Sequence, residues 1–373
     1  MENSDFESTL EFPCFLKTFL WIQDYVSVFS SYNDEFEVYD VLSKKFRHKM
    51  SSDCIYSSFY AEDEKLYCGG MLSKRIDAFD FKKGVFENVY KIEGDESKIT
   101  SFTKIYKNKD QTFVALAKKS KLHFLDLFDF RQSKPLITEK SFPFAVNFSD
   151  ISDNFLSFGW ESKNKYSHSI VDVSQIWPNE KDFAMSLKKE LEEKTKAEDF
   201  DLDKKITSIR ISPSKGLLSL GRKNGSVYIY EIDEKISTIS QKTQLSFAVH
   251  LHQQEKVTNS KEAGKLPERK NAHVIDLDFF PKKAGKEEIL VSSGTEGALK
   301  FINFRKRKFL KSREIENNEK IEKGYFESVR WNPTGEVLMV LKSPDISKSD
   351  STECQMKFTK SPIKSQEKIE EKK

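Results

Sequence analysis

The hydrophobic and polar positions of this chain follow a short pattern that recurs at regular intervals. Two hydrophobic residues are followed by an acidic or amide residue and then by a further hydrophobic residue, as in residues 38–41 (VYDV). The six polar residues of the pattern are Asp40, Asp80, Asp126, Asp172, Glu231 and Asn303. The steps between them are 40, 46, 46, 59 and 72 residues. The first three steps fit a repeated four-stranded unit of roughly 40–45 residues, and the last two indicate the same unit with an insertion.

Each copy of the pattern follows two shorter apolar runs that are separated by turn residues. The clearest copies span residues 206–230 and 274–302, and in both of them Pro and Gly bound the apolar runs. Continuous apolar runs of this kind are typical of strands that are packed on both faces. Asn224 and Gly225 are predicted to be the two left-handed residues of a tight hairpin turn. Weaker copies begin near Cys14, Ile55, Ile99 and Phe144.

A seventh copy is indicated near the end of the chain. Residues 326–341 repeat the first two apolar runs, and residues 355–359 supply a third strand after a polar loop. Residues 6–12 are expected to pair as the outer strand of this last unit. Because that pairing leaves no open sheet edge, the sequence predicts an all-β fold, a single seven-bladed β-propeller over residues 1–360. Six or eight blades stay open as alternatives, since the seventh copy is incomplete.

One insertion in the repeat has a helical pattern. Within residues 179–200, Phe183, Leu187 and Leu191 are four positions apart, with charged residues between them. This spacing places them on one face of a helix. The insertion is therefore predicted to be a charged helix, either solvated on the side of the propeller or docked to a partner.

Two further insertions and the C-terminal tail are polar. Residues 253–271 are rich in Lys, Glu, Asn and Ser, and a disordered loop is predicted there. Residues 305–324 open with the basic run 305–313, for which a solvated loop, a nuclear-import signal and a nucleic-acid contact are all open. Residues 361–373 are mixed in charge and are predicted to be a disordered tail.

The repeat resembles that of the WD-repeat family over most of the chain. The closing Trp-Asp of that family corresponds here to a hydrophobic residue followed by Asp, Glu or Asn, and its Gly-His dipeptide is missing. His273 precedes a predicted first strand, where members of the family often carry a structural histidine. The resemblance implies a WD-repeat-like β-propeller in which His273 forms hydrogen bonds within a blade and is not catalytic.

A second resemblance concerns both ends of the chain. Residues 206–232 and 273–304 are similar to the final blades of the endoplasmic-reticulum exchange factor family that starts COPII coat assembly, and residues 12–20 are similar to its opening strand. This resemblance implies guanine-nucleotide exchange on a Sar-family small GTPase. The family carries a glycine-rich, potassium-binding loop soon after its first strand, whereas residues 27–35 contain no glycine. No catalytic residue is therefore carried over.

Composition and charge narrow the functional classes. The chain has 373 residues, with 62 Lys and Arg against 59 Asp and Glu and a net charge of +3. Dedicated nucleic-acid binders are usually strongly basic, so nucleic acid is not expected as a partner. The scattered cysteines Cys14, Cys54, Cys68 and Cys354 are expected to be buried, reduced thiols, since no close pair indicates a disulfide or zinc site.

The sequence also bears on location. No apolar run reaches the roughly 18 residues of a membrane-spanning helix, and the acidic start lacks the features of a signal peptide. A cytoplasmic protein without a membrane span is therefore expected, with the nucleus or the cytosolic face of the endoplasmic reticulum as alternatives.

No candidate catalytic constellation is present in the sequence. Phosphate-binding glycine motifs and the GxSxG nucleophile motif are missing. His250 and His252 share a strand face, but no third and fourth metal ligand can be named. We therefore expect no catalytic, cofactor or metal site, and a non-enzymatic platform for protein partners in a multi-protein complex. Nucleotide exchange on a small GTPase is the alternative function.

Overall fold

The computed structural model of the chain describes most of the repeat. The described residues are 8–12, 16–31, 35–52, 55–62, 65–70, 75–91, 101–108, 111–118, 121–126, 140–141, 145–152, 155–162, 165–172, 205–213, 216–232, 243–250, 253–254, 270–281, 288–303, 308–314, 325–343 and 354–360.

Every regular element among these residues is a β-strand, and none is a helix. The first half of the strands comprises β1 (Ser8–Phe12), β2 (Leu16–Gln23), β3 (Val26–Ser31), β4 (Glu35–Asp40), β5 (Lys45–Ser51), β6 (Tyr56–Glu62), β7 (Lys65–Gly70), β8 (Arg75–Asp80), β9 (Val85–Lys91), β10 (Ser101–Asn108), β11 (Gln111–Lys118), β12 (Lys121–Asp126), β13 (Lys140–Ser141), β14 (Ala145–Ser152), β15 (Phe155–Ser162) and β16 (Lys165–Asp172). The second half comprises β17 (Ile206–Ile211), β18 (Leu217–Arg222), β19 (Ser226–Ile232), β20 (Thr243–His250), β21 (Gln253–Gln254), β22 (Lys270–Asn271), β23 (Val274–Phe279), β24 (Ile289–Gly294), β25 (Ala298–Asn303), β26 (Lys308–Glu314), β27 (Tyr325–Trp331), β28 (Val337–Ser343) and β29 (Cys354–Lys360).

Consecutive strands pair antiparallel into small sheets. In the described part of the chain, sheet 1 contains β2 to β5, sheet 2 β6 to β9, sheet 3 β10 to β13, sheet 4 β14 to β16, sheet 5 β17 to β20, and sheet 6 β23 to β26. Sheet 7 has the order β27-β28-β29-β1 and so joins the two ends of the chain, while β21 pairs with β22 alone. The predicted all-β class and the pairing of the N-terminal strand with the last unit are both present.

Neighbouring sheets contact one another mainly through their first strands. The first strand of each sheet packs against the first strand of the next, from β2 and β6 through to β23 and β27. Sheets 7 and 1 also meet, because the indole nitrogen of Trp21 donates to the carbonyl oxygen of Arg330 at 3.4 Å, and the Phe29 and Phe358 rings are 6.4 Å apart. Among the described residues, each of these sheets therefore contacts the next, and sheet 7 contacts sheet 1.

In sheets 1 and 2 the acidic residue of the recurring pattern closes a turn. One carboxylate oxygen of Asp40 accepts the backbone N–H groups two and three residues further on, at 3.0 and 3.1 Å. Asp80 does the same in sheet 2, at 2.9 and 3.0 Å. The fifth residue of each turn is left-handed: Lys44 has a φ of 53° and Gly84 a φ of 65°. In these two sheets the acidic side chain therefore replaces hydrogen bonds that the tight turn denies to the backbone.

The prediction of two left-handed residues at the hairpin of sheet 5 is wrong. Among the described residues there, only Gly225 has a positive φ, at 81°. Its N–H donates to the carbonyl oxygen of Arg222 at 3.0 Å, and the Asn224 side chain accepts the N–H of Ser226 at 3.0 Å. Glycine thus occupies the fourth position of a longer turn, a position it favours, and Asn224 keeps an ordinary backbone conformation.

The insertions are described only in part. Residues 308–314 form β26, the outer strand of sheet 6, which differs from the interpretation of 305–324 as an insertion. An outer strand packs on one side only and needs few apolar residues, so its Lys- and Arg-rich sequence looks like a loop. Residues 253–254 pair with 270–271 at the base of the second insertion. The predicted helix at 179–200 and the tail 361–373 lie outside the described residues.

Candidate functional site

The first strands of sheets 5, 6 and 7 bring a set of polar residues together. β17, β23 and β27 pack side by side. Their equivalent positions carry Ser208, Asp276 and Ser328 and, two residues further on, Arg210, Asp278 and Arg330. Because alternate residues of a strand point to the same side, the middle strand places two carboxylates between the two arginines.

Asp276 is the centre of this cluster and is buried. One of its carboxylate oxygens accepts hydrogen bonds from Arg210 Nη2 and Ser208 Oγ, each at 3.2 Å. The other accepts short hydrogen bonds from Arg330 and Ser328. The single side chain of Asp276 therefore joins the first strands of three sheets.

The pKa values of the two carboxyl groups are shifted in opposite directions. Burial acts to raise the pKa of Asp276, but the positive charges of Arg330 and Arg210 together with hydrogen bonds bring it below its usual value. Burial raises the pKa of Asp278 to about 6 in spite of the same two arginines. The backbone N–H of Trp331 donates to Asp278 at 2.7 Å. Two cations face two carboxyl groups, so the cluster is close to electrical balance and stabilises the packing of the sheets.

A second polar contact closes the ring between sheets 7 and 1. The Asn332 side chain donates to the carbonyl oxygen of Asp24 at 2.6 Å. The Tyr25 hydroxyl donates a short hydrogen bond to the carboxylate of Glu336. Burial is the main cause that raises the pKa of Tyr25, and the bond to Glu336 adds to it. These bonds bring the turns of the two sheets together at one face of the molecule.

A solvent-accessible cleft of about 470 Å³ lies in sheet 1, next to these bonds. It is lined by Gln23, Asp24, Tyr25, Val26, Asp40, Leu42 and Arg47. Leu42 is 54% exposed. The Arg47 guanidinium donates twice to one oxygen of Asp40, at 2.7 and 3.1 Å, so both side chains are held in place. The cleft therefore combines an exposed apolar side chain with the ion pair of Arg47 and Asp40.

The histidines singled out in the sequence are described only in part. His273 is half-buried, and its backbone forms a reciprocal pair with Thr295: its N–H donates to Thr295 Oγ1 at 2.9 Å, and its carbonyl accepts from Thr295 N–H at 3.0 Å. His250 ends β20, and His252 lies outside the described residues. Among the residues that the structure describes, no group of three metal-ligating side chains comes together.

Two other predictions concern the cysteines and membrane-spanning helices. Cys68 and Cys354 are buried, and Cys14 and Cys54 lie outside the described residues. Within the described part of the chain, no helix has the length and apolar character needed to cross a membrane.

The sequence contains a signal for the arginine–aspartate cluster that motif reasoning missed. When the copies of the repeat are aligned, the first strands read Ser-x-Arg, Asp-x-Asp and Ser-x-Arg in consecutive units, starting at Ser208, Asp276 and Ser328. An acidic pair between two basic residues at equivalent positions indicates an ion network across sheets. The cleft has no comparable signal, because its residues come from two separate turns of sheet 1 and the strand ends beside them.

Comparisons with known proteins bear on the fold. No protein-family model matches the chain, and no curated protein matches its sequence. The chain is similar to the crystal structure of the Cps50 (Swd1) β-propeller domain of Myceliophteria thermophila, with a TM-score of 0.60 and 10% sequence identity. The match covers 94% of this chain and 98% of that chain. Nothing in it supports the resemblance to the COPII exchange factor. A likeness at this identity shows the fold alone: the chain has the predicted β-propeller fold.

Proposed function

We propose that residues 1–360 form one seven-bladed β-propeller that acts as a non-enzymatic platform for protein partners in an intracellular complex, with residues 361–373 as a tail outside it. The observation that carries this proposal is the propeller fold with its closed succession of sheets. Such a ring presents many turns at fixed spacing on two faces, and turns on a rigid scaffold are where binding residues concentrate. Each of the seven sheets is then one blade.

The described polar interior supports a structural rather than a catalytic role. A general acid or base must come within hydrogen-bond reach of a substrate. The carboxylate of Asp276 is occupied by Arg210, Arg330 and two serines instead. Asp278 accepts from the backbone of the neighbouring strand. The groups with the strongest electrostatic interactions therefore bind one another.

The proposal is tested by affinity capture of the tagged full chain from its native cytoplasm, followed by size-exclusion chromatography and quantitative mass spectrometry. We expect at least one protein to co-elute with the chain in stoichiometric amount. The tag alone serves as the control. Elution of the chain as a monomer, without a stoichiometric companion, contradicts the platform.

A second measurement separates the platform from the exchange-factor alternative. The purified chain is added in catalytic amount to a Sar-family GTPase loaded with a fluorescent nucleotide. A platform leaves the rate of nucleotide release unchanged, because exchange requires tighter binding to the nucleotide-free state. A tenfold acceleration, equivalent to about 1.4 kcal/mol of barrier, overturns the non-enzymatic assignment.

A further inference from the structure

The turn and outer strand of sheet 1 form an exposed surface that is both basic and apolar. We call it the basic rim and define it by residues 42–49, in which four residues are Lys or Arg and none is Asp or Glu. Leu42 is 54% exposed and Phe46 41% exposed. Among the described residues the other exposed large hydrophobic side chain is Val85, in the equivalent region of sheet 2. Two of the three exposed large hydrophobic side chains among the residues with described burial therefore belong to the basic rim.

A backbone outlier lies within the basic rim. Lys44 has a left-handed φ of 53°, whereas the equivalent turn of sheet 2 has Gly84 at 65°. A side chain in this conformation costs roughly 1 kcal/mol, which glycine avoids. A lysine in place of a glycine therefore lowers stability. Strain of this kind is typical of positions where the side chain has a function.

The charged side chains of the basic rim are positioned by neighbours on the same sheet. Lys49 Nζ lies 2.6 Å from the carboxylate of Glu37, and Arg47 binds Asp40. The Phe46 ring packs with its centre 5.1 Å from that of the Tyr39 ring, and Lys49 Nζ lies 5.6 Å from the centre of the Phe46 ring. Phe46 is therefore fixed with part of its surface towards solvent. A preformed surface of this kind loses little conformational entropy when it binds.

The backbone of β5 offers a further means of recognition. In the described part of the chain β5 pairs with β4 on one side, and it is the outer strand of sheet 1. An extended peptide can add to the outer edge of such a strand through main-chain hydrogen bonds. Alternate side chains of that peptide then face the exposed side chains of the rim.

We infer that the basic rim binds an extended, acidic segment of a partner protein that carries at least one large apolar side chain. The inference rests on the proposed function, because it names the kind of partner that the platform holds. Acidic residues match Lys44 and Lys45, the apolar side chain covers Leu42 and Phe46, and the segment continues sheet 1 beyond β5.

Two other classes of ligand fit the same surface less well. A nucleic acid offers phosphates to Lys44 and Lys45, but it has no extended main chain that can pair with the edge of β5. A lipid surface gives the edge of β5 no hydrogen-bond partners. A peptide uses the charges, the apolar side chains and the backbone edge together.

The test is selection of a random-peptide display library on the immobilised full chain. We expect enrichment of sequences in which Asp or Glu alternates with Phe, Leu or Ile. One selected peptide is then synthesised, and we expect its affinity to fall about tenfold on the variant with Lys44→Glu and Lys45→Glu, as two lost ion pairs predict. The exposed Lys82→Glu, in the equivalent turn of sheet 2, is the matched control and leaves the affinity unchanged.

A second variant separates binding from folding. Lys44→Gly removes one charge and also relieves the left-handed conformation. We expect it to raise the melting temperature of the chain and to lower the affinity for the peptide about threefold. A variant that is more stable but binds less well cannot be explained by misfolding. Unchanged affinity in this variant contradicts a binding role for Lys44.

The remaining outcomes distinguish other occupants. Enrichment of neutral or basic peptides, or equal binding to the charge-reversed variant, overturns the inference. So does a rim-dependent affinity for single-stranded RNA or phosphatidylserine vesicles when no peptide is selected.

Residues 1–7 are acidic, include Phe6 and precede Ser8, whose hydroxyl lies 3.1 Å from that of Tyr39. Peptide binding that requires deletion of residues 1–7 therefore makes the chain's own N-terminus the occupant and overturns the partner assignment. Partner capture unaffected by the charge-reversed variant refutes the rim but leaves the platform standing.

Discussion

The Asp276→Ala substitution probes the contact that joins three sheets. The substitution removes a buried carboxylate that binds two arginines and two serines on neighbouring strands. Loss of one partner from a buried ion pair costs about 3–5 kcal/mol, because the remaining charge stays buried without compensation. The side chains of Arg210 and Arg330 are 18% and 25% exposed, so water compensates them in part. We therefore expect the free energy of unfolding to fall by about 3 kcal/mol, the lower end of that range.

Urea denaturation followed by tryptophan fluorescence measures this change. The same substitution is also made in a chain that carries Arg330→Met. There Asp276→Ala should lower the free energy of unfolding by about 1–3 kcal/mol less than in the parent chain, since the two residues interact directly. The dependence on pH has a definite sign. The pKa of Asp276 is lowered in the folded state, so its stabilisation is fully present above the unfolded pKa of about 3.9 and is lost as the pH falls through the lower, folded value. A loss below about 1 kcal/mol at pH 7, as for a surface site, or full additivity with Arg330→Met, would refute the reasoning.

Three further substitutions test the packing of the sheets. In urea melts, the Asp278→Asn variant should gain stability relative to the parent chain as the pH rises from 4 to 7. The pKa of Asp278 is about 6 in the folded state and near 4 in the unfolded chain, so ionisation of this carboxyl group destabilises the parent fold over that range. Gly221→Ala should lower the melting temperature and cost about 1–3 kcal/mol, since the added Cβ would lie 2.5 Å from Cγ1 of the buried Val274; an unchanged melting temperature would show that sheets 5 and 6 are farther apart. Leu220→Ala should lower the free energy of unfolding by about 2–5 kcal/mol, because Leu220 is fully buried. Val85→Ala, at an exposed residue, should change the free energy of unfolding by less than about 0.5 kcal/mol.

Sequence reasoning located strands better where both of their faces are buried. β18 and β24 read as continuous apolar runs and are buried throughout, so their burial is visible in the residue types. β26 was interpreted as part of an insertion because an outer strand can be rich in Lys and Arg and still pair with β25. The pattern of apolar residues reports burial, and strands with little burial leave little signal.

The candidate sites depended on contacts between distant parts of the chain. Asp276 binds residues 66 positions earlier and 54 positions later, which only the packing of three sheets brings together. The basic rim is contiguous in sequence, yet its exposure and the left-handed φ of Lys44 are properties of the folded turn. Composition showed the charges, while their arrangement around Leu42 and Phe46 required the structure.

Closure of the ring by the two ends of the chain is tested most directly by a disulfide between β1 and β29. Glu11 and Gln355 are register partners whose side chains approach to 3.3 Å. Directly opposed strand residues lie about 4.5–5.5 Å apart, within the range that a disulfide spans. We predict that a chain with Glu11→Cys and Gln355→Cys forms this disulfide under mild oxidation, as identified by peptide mass spectrometry, and that Glu11→Cys with Lys360→Cys does not. Absence of the Glu11–Gln355 cross-link, or equal cross-linking in the control, would contradict the closed ring.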